Sequence, residues 1–184
     1  MDTIQKIKIL SFDPGTTVTG WAVSTYIRST HTLTVLKCGE ITPIHDAKKL
    51  DKEECIKYSQ QLIALDHLYN DVYALIDKNK PNCVVTEDAF LHPKFIMAYA
   101  ALNLCIHTIS RAARAHGLVC EKIAPKLVKK LVSENGESTK YNMFDAIINN
   151  PNIIINNTKC ADIMKSSEHV IDAIGVGFAY TCQI

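Results

Sequence analysis

Four residues spread along the chain have side chains suited to holding a hard metal ion over a phosphate: Asp13, Glu87, His169 and Asp172. Asp13 follows the apolar run KIKILSF (Lys6–Phe12) and precedes Pro14-Gly15, while Glu87 closes CVVTE (Cys83–Glu87). His169 and Asp172 lie three apart at the start of the last helical pattern, and so share one helix face. Hard Mg²⁺ prefers oxygen ligands and retains several waters. Two such ions roughly 4 Å apart can activate a water and stabilise the leaving oxygen of a phosphodiester. Each residue also has a plainer reading. Asp before Pro-Gly forms turns, and Glu at a strand end is commonly solvated. His near a helix start is commonly structural, and Asp in a first turn suits the helix dipole.

Convergence of these residues depends on the elements between them. Lys6–Phe12, Gly20–Tyr26 and Leu33–Cys38 are rich in β-branched and aromatic residues and read as three antiparallel strands, with Arg28–His31 as a connection. Glu53–Asp77 carries apolar residues at helical spacing and stops before Pro81. Cys83–Glu87 reads as a short buried strand parallel to the first. His92-Pro93 opens a helical pattern that runs to Ala115, with Gly117 just past its end. Leu118–Ile123 is a fifth strand, Pro125 suits the first turn of the next helix, and Lys140–Ile148 is a further helix. Pro151–Lys159 reads as an Asn-rich connection, and a last helix spans Ser167–Thr181, capped by Ser166 or Ser167. The order predicts an α/β fold: a mixed five-stranded sheet, three antiparallel strands followed by βαβ crossovers, flanked by helices.

The chain has 184 residues, the size of a single domain spanning 1–184. Seven cysteines occur at wide spacing with no CxxC pair, which argues against a zinc site and points to a reducing, cytoplasmic setting. The N-terminal segment carries charge and runs directly into a strand, unlike a signal peptide, and no apolar run is long enough to span a membrane. Net charge is only +1, so any nucleic-acid surface must come from local segregation of charge. Lys122, Lys126, Lys129, Lys130 and Lys140 make the densest basic region. It reads either as a phosphate-binding patch or as a solvated helix end.

Four segments resemble, in order, the motifs of the RuvC family of Holliday junction resolvases: DPGTTVTGWAV (Asp13–Val23), CVVTEDAF (Cys83–Phe90), APKLVKKLVSENGESTK (Ala124–Lys140) and EHVIDAIGVGFA (Glu168–Ala179). The resemblance covers nearly the whole chain. It implies an RNase H-like fold and a Mg²⁺-dependent endonuclease, with Mn²⁺ as a substitute, that cuts four-way DNA junctions as a homodimer. Asp13, Glu87 and Asp172 match the family's metal-binding carboxylates. His169 stands where members carry Asp or His, and Glu168 is its alternative, four residues before Asp172. Lys129 and Lys140 match lysines near the scissile phosphate, and Phe90 matches an aromatic that stacks on bases at the junction centre. Asp88 departs from the family, which often has an uncharged amide there. Members dimerise through the helix corresponding to the pattern from Lys94 to Ala115, whose small residues Ala98, Ala100 and Ala101 would allow close helix contact or packing on the sheet.

Two other functions fit parts of the pattern. A nuclease for flaps, forks or RNA would share the same ligands, because substrate shape is read by other surfaces. DPGTTVTG also resembles the phosphate loop of actin-like and sugar-kinase ATPases, but 184 residues are too few for the two halves such proteins need.

Overall fold

The computed structural model describes residues 6–43, 59–91, 93–133 and 140–184. Three strands open the chain, β1 (Lys6–Asp13), β2 (Thr19–Ile27) and β3 (Thr32–Ile41), with a short 3-10 turn at Arg28–Thr30. Helix α1 (Gln60–Asn79), strand β4 (Cys83–Glu87), helix α2 (Ile96–Ala115) and strand β5 (Cys120–Ile123) follow. Then come α3 (Pro125–Ser133), α4 (Lys140–Asn149), β6 (Ile153–Ile155), α5 (Thr158–Ser166) and α6 (Glu168–Thr181). The strands form one mixed sheet in the order β5-β4-β1-β2-β3-β6. β1, β2 and β3 are antiparallel neighbours, whereas β4 runs parallel to β1 and β5 parallel to β4, as the sequence predicts.

The sheet has six strands where five were expected. Ile153–Ile155 lies in the segment read as a connection, yet it pairs parallel with Leu33–Val35 on the outer edge of β3. Three residues are too few to show the alternation that identifies a strand in sequence; an open edge with unpaired backbone groups supplies the reason to pair. α5 begins at Thr158 within that segment and runs past it to Ser166, with the Asn157 side chain capping it by accepting from the Lys159 amide. α2 starts at Ile96, after a turn at Pro93-Lys94, and His92 lies outside the described residues. Residues 53–58 of the expected first helix also lie outside them. Gly117 ends α2 with φ of +72°, the left-handed conformation glycine takes without steric cost.

Strand alternation splits the core in two. Ile9, Ala22, Val35, Cys38 and Val85 face α3, α4, α5 and α6, packing with Val128, Val132, Met143, Ile147, Met164 and Ile174. Leu10, Phe12, Val23, Ile41 and Val84 face the opposite side, where Leu68, Val72 and Ile76 of α1 meet Ile109 and Ala112 of α2. Asp13 has the parity of Ile9, and Glu87 that of Val85. With side chains alternating every residue, both acids end their strands on the α6 side of the sheet. No helix among the described residues is long and apolar enough to cross a membrane.

Candidate metal centre

The parallel register of β1 and β4 pairs Phe12 with Thr86, so Asp13 and Glu87 stand one step beyond, at the same end of adjacent strands. Asp13 is buried, with 8% of its surface exposed, and Glu87 is half-buried. α6 supplies the other two residues. It begins beside them because the Ser167 hydroxyl caps it by accepting from the Val170 amide. His169 Nδ1–H donates to Asp13 Oδ2 across 2.7 Å. One turn on, Asp172 joins Glu87 and Lys129 in the wall of a cavity of about 170 Å³, with Pro125, Val128 and Met143.

Charge in this corner is mostly negative. Burial pushes the Glu87 carboxyl up to about 8, helped by repulsion from Asp13 and Asp172 and opposed by Lys129. The hydrogen bond to Asp13 raises the pKa of His169 above its ordinary value, against some desolvation. A buried Glu87 carboxyl that keeps its proton beside two other acids marks a site short of positive charge, which a divalent cation would relieve. Among the described residues no group of three or more His, Cys, Asp or Glu side chains is placed, as the side chains stand, to hold a metal ion. A hard cation in this corner would take few direct protein ligands, with waters and phosphate oxygens completing its shell. Asp13, Glu87, His169 and Asp172 are the residues that could hold it. Glu168, the alternative ligand, is exposed, whereas His169 is the residue that meets Asp13.

The basic residues divide. Lys129 faces the acidic corner, and Lys126 and Lys130 lie exposed on α3. Lys122, on β5, pairs with Asp88 at 3.3 Å. Asp88 also accepts from the Ala89 amide, so it fixes the loop after β4 and is turned to a partner away from the metal corner. Lys140 opens α4, but its side chain lies outside the described residues. Phe90 is 59% exposed, which excludes the core-packing role a lone Phe usually has. Leu91, Phe95, Ile96 and Met97 extend that apolar exposure into the start of α2.

Glu40 escaped the sequence reading. It sits near the end of β3, accepts a hydrogen bond from the Ser167 hydroxyl, and adds to the negative field at His169. Its signal was parity: Cys38 faces α6, so Glu40 does too. Gly20 was also missed as a site residue. A Cβ there would lie 2.0 Å from the His169 carbonyl oxygen, so β2 and the first turn of α6 touch backbone to backbone.

No family model matches the chain. In sequence it is similar to two proteins named crossover junction endodeoxyribonuclease RuvC. One, from Caulobacter vibrioides, is 29% identical over 133 residues, covering 72% of this chain and 70% of the relative. The other, from Oleidesulfovibrio alaskensis, is 26% identical over 138 residues, covering 75% and 74%. Among solved structures, Thermus thermophilus RuvC in complex with a Holliday junction substrate superposes with a TM-score of 0.66 at 15% identity, over 94% of this chain and 92% of that one. The chain shares the fold of that RuvC, the RNase H-like arrangement the motifs led us to expect, and the likeness is carried by both sequence and fold.

Proposed function

We propose that this chain is a metal-dependent endonuclease that resolves four-way DNA junctions, working as a homodimer in the cytoplasm. The observation that supports it best is the gathering of Asp13, Glu87, His169 and Asp172 at one end of the sheet, beside Lys129. The RuvC relatives named above carry that activity in their names.

Asp13, Glu87, His169 and Asp172 would hold Mg²⁺ or Mn²⁺, two ions per site. Bound there, such ions activate water and stabilise the leaving oxygen of a phosphodiester. Lys129 places positive charge against the non-bridging phosphate oxygens, with Lys140 as the matching lysine at the start of α4. Asp13 fixes the His169 ring by taking its Nδ1 proton in a hydrogen bond, which leaves Nε2 to face a ligand or the attacking water. Attack of water oxygen on phosphorus breaks the P–O3′ bond. The 3′ oxygen leaves as a hydroxyl after taking a proton, and the 5′ end keeps the phosphate. Phe90 stacks on an unpaired base at the branch point, and Lys122, Lys126 and Lys130 neutralise flanking phosphates. Pairing two such sites about a two-fold axis would match the two symmetric strands of a junction. The exposed Phe95, just before α2, and Ile96 and Met97 in its first turn are the kind of apolar surface such a dimer buries.

The test is cleavage of a labelled synthetic four-way junction in Mg²⁺ or Mn²⁺, beside a flap, a fork and an RNA hybrid, with the molar mass measured by sedimentation. Paired symmetric nicks on the junction by a dimer support the reading. Equal or faster cutting of flap or hybrid replaces the substrate, and a monomer that cuts the junction removes the dimer.

A further inference from the structure

Two features meet at the first turn of α6, and neither belongs to the metal-binding set. Ser167 has two jobs through one hydroxyl: it accepts the Val170 amide, which caps the helix, and it donates to Glu40 Oε1. The donated proton fixes the hydroxyl rotor, so its lone pairs point at the helix. Glu40 therefore ties the cap of α6 to β3, across 127 positions of sequence. Gly20 supplies the second restraint, on the neighbouring strand. Its missing side chain lets β2 lie against the carbonyl and Cβ of His169, which a Cβ at position 20 would approach to 2.0 Å and 2.9 Å. Gly20 also pairs with Asp13 across β1 and β2. The same small residue thus touches both ends of the Asp13–His169 hydrogen bond.

Resting on the nuclease reading above, we propose that Glu40, acting through Ser167, and Gly20 are positioning residues for the reaction. Together they seat the start of α6 so that the His169 imidazole meets Asp13 at the end of β1. Neither touches the scissile phosphate. A helix start displaced by the thickness of a methyl group would break a 2.7 Å hydrogen bond while leaving the apolar body of α6, from Val170 to Ala179, in the core.

The experiment compares wild type with Glu40→Gln, Glu40→Ala, Ser167→Ala, Ser167→Thr and Gly20→Ala proteins. In metal-free protein, two-dimensional NMR of the imidazole nitrogens reads the His169 Nδ1–H bond directly. Calorimetry reads Mn²⁺ affinity, and cleavage reads kcat separately from junction Kd. Glu40→Gln retains an acceptor for Ser167, and Ser167→Thr retains the cap, so both are expected close to wild type. Glu40→Ala and Ser167→Ala are expected to shift the His169 signal and to lower Mn²⁺ affinity and kcat by about 10- to 100-fold, the usual effect of losing a residue that orients a ligand. Junction Kd should stay within about threefold. Gly20→Ala should give the same pattern; if it fails to fold, the Glu40 and Ser167 proteins decide. An unmoved His169 signal with unchanged Mn²⁺ affinity in both alanine proteins overturns the proposal, even where melting temperature falls. Equal loss in Glu40→Gln and Glu40→Ala overturns the cap as the route, because charge would then be what matters. A wild type that cuts no branched DNA removes the nuclease reading, while the NMR arm still decides the positioning.

Discussion

His169 and Asp13, 156 positions apart, share a hydrogen bond of 2.7 Å that closes the end of β1 against the first turn of α6. The bond assigns the proton to Nδ1 and orients the ring, leaving Nε2 for other partners. It also occupies Oδ2 of Asp13.

Replacement of His169 therefore has a graded outcome. His169→Ala should lower cleavage by about 10- to 100-fold through loss of the ring's orienting and liganding role. His169→Asp, the other residue the family carries here, should retain more activity than the alanine protein but need more metal, because it sets a second carboxylate against Asp13. Metal titrations of cleavage rate separate the two, and a His169→Asp protein worse than His169→Ala contradicts the liganding role.

Removing the acids should separate cutting from binding. Asp13→Asn, Glu87→Gln and Asp172→Asn are expected to reduce cleavage on the order of 10²–10³-fold or more. Their junction affinity in EDTA should match or exceed wild type, since Asp13→Asn and Asp172→Asn each remove a carboxylate facing phosphates and Glu87→Gln keeps the neutral form that burial favours. Gel-shift and single-turnover assays on the same preparations are sufficient. Lost affinity with retained cutting would place these residues outside the metal centre.

Glu87 gives the metal-free protein a pH dependence with a definite sign. Burial and its acidic neighbours push the folded carboxyl up to about 8, from an ordinary 4.5. The folded state thus favours the protonated form. That contribution is complete below about pH 4.5, declines as pH rises and is lost by the time pH passes 8. In EDTA, wild type should lose on the order of 1–3 kcal/mol of stability between pH 5 and 9 relative to Glu87→Gln. Calorimetric melts across that range test it, and parallel curves for the two proteins refute the shift. On the proposed liganding role of Glu87, a divalent ion displaces its proton, so metal affinity should rise over the same interval.

Phe90 should matter for DNA and not for folding. Because it is mostly exposed, Phe90→Ala is expected to leave stability within about 0.5 kcal/mol. The same change should weaken junction binding by ~1–3 kcal/mol, the worth of one base stacked on an aromatic ring. Affinity for linear duplex, which offers no unpaired base, should hardly change. A fall in melting temperature with unaltered junction binding would return Phe90 to packing.

The lysines of α3 should differ from each other. Lys130→Ala is expected to reduce the slope of log Kd against log salt by about 1, as for a simple phosphate contact. Lys129→Ala should chiefly lower kcat, because Lys129 faces Glu87 and Asp172. Its loss also removes the cation that opposes protonation of Glu87, so the pH profile of cleavage should move to higher pH. Identical salt slopes and rates for the two proteins would reduce both to a general basic surface.

Much of this was legible in the sequence because short-range rules govern it. The apolar, β-branched runs KIKILSF and CVVTE marked the strands, and Pro14-Gly15 marked the end of the first. Pro125, Gly117 and the pair Ser166-Ser167 announced a helix start, a helix stop and a cap, and the fold uses Ser167 for the last. The acids Asp13, Glu87 and Asp172 stood out because order and spacing survive in one dimension. Tertiary structure alone decided the rest. Ile153–Ile155 became a strand because β3 had an open edge, which three isoleucines by themselves do not reveal. That His169 meets Asp13 while Glu168 stays exposed follows from which face of α6 lies over β1. Glu40 and Gly20 gained their places from contacts 127 and 149 positions distant, with Ser167 and His169. Alternation and caps act between near neighbours and are written in the chain; close approach between distant backbones depends on how whole elements pack.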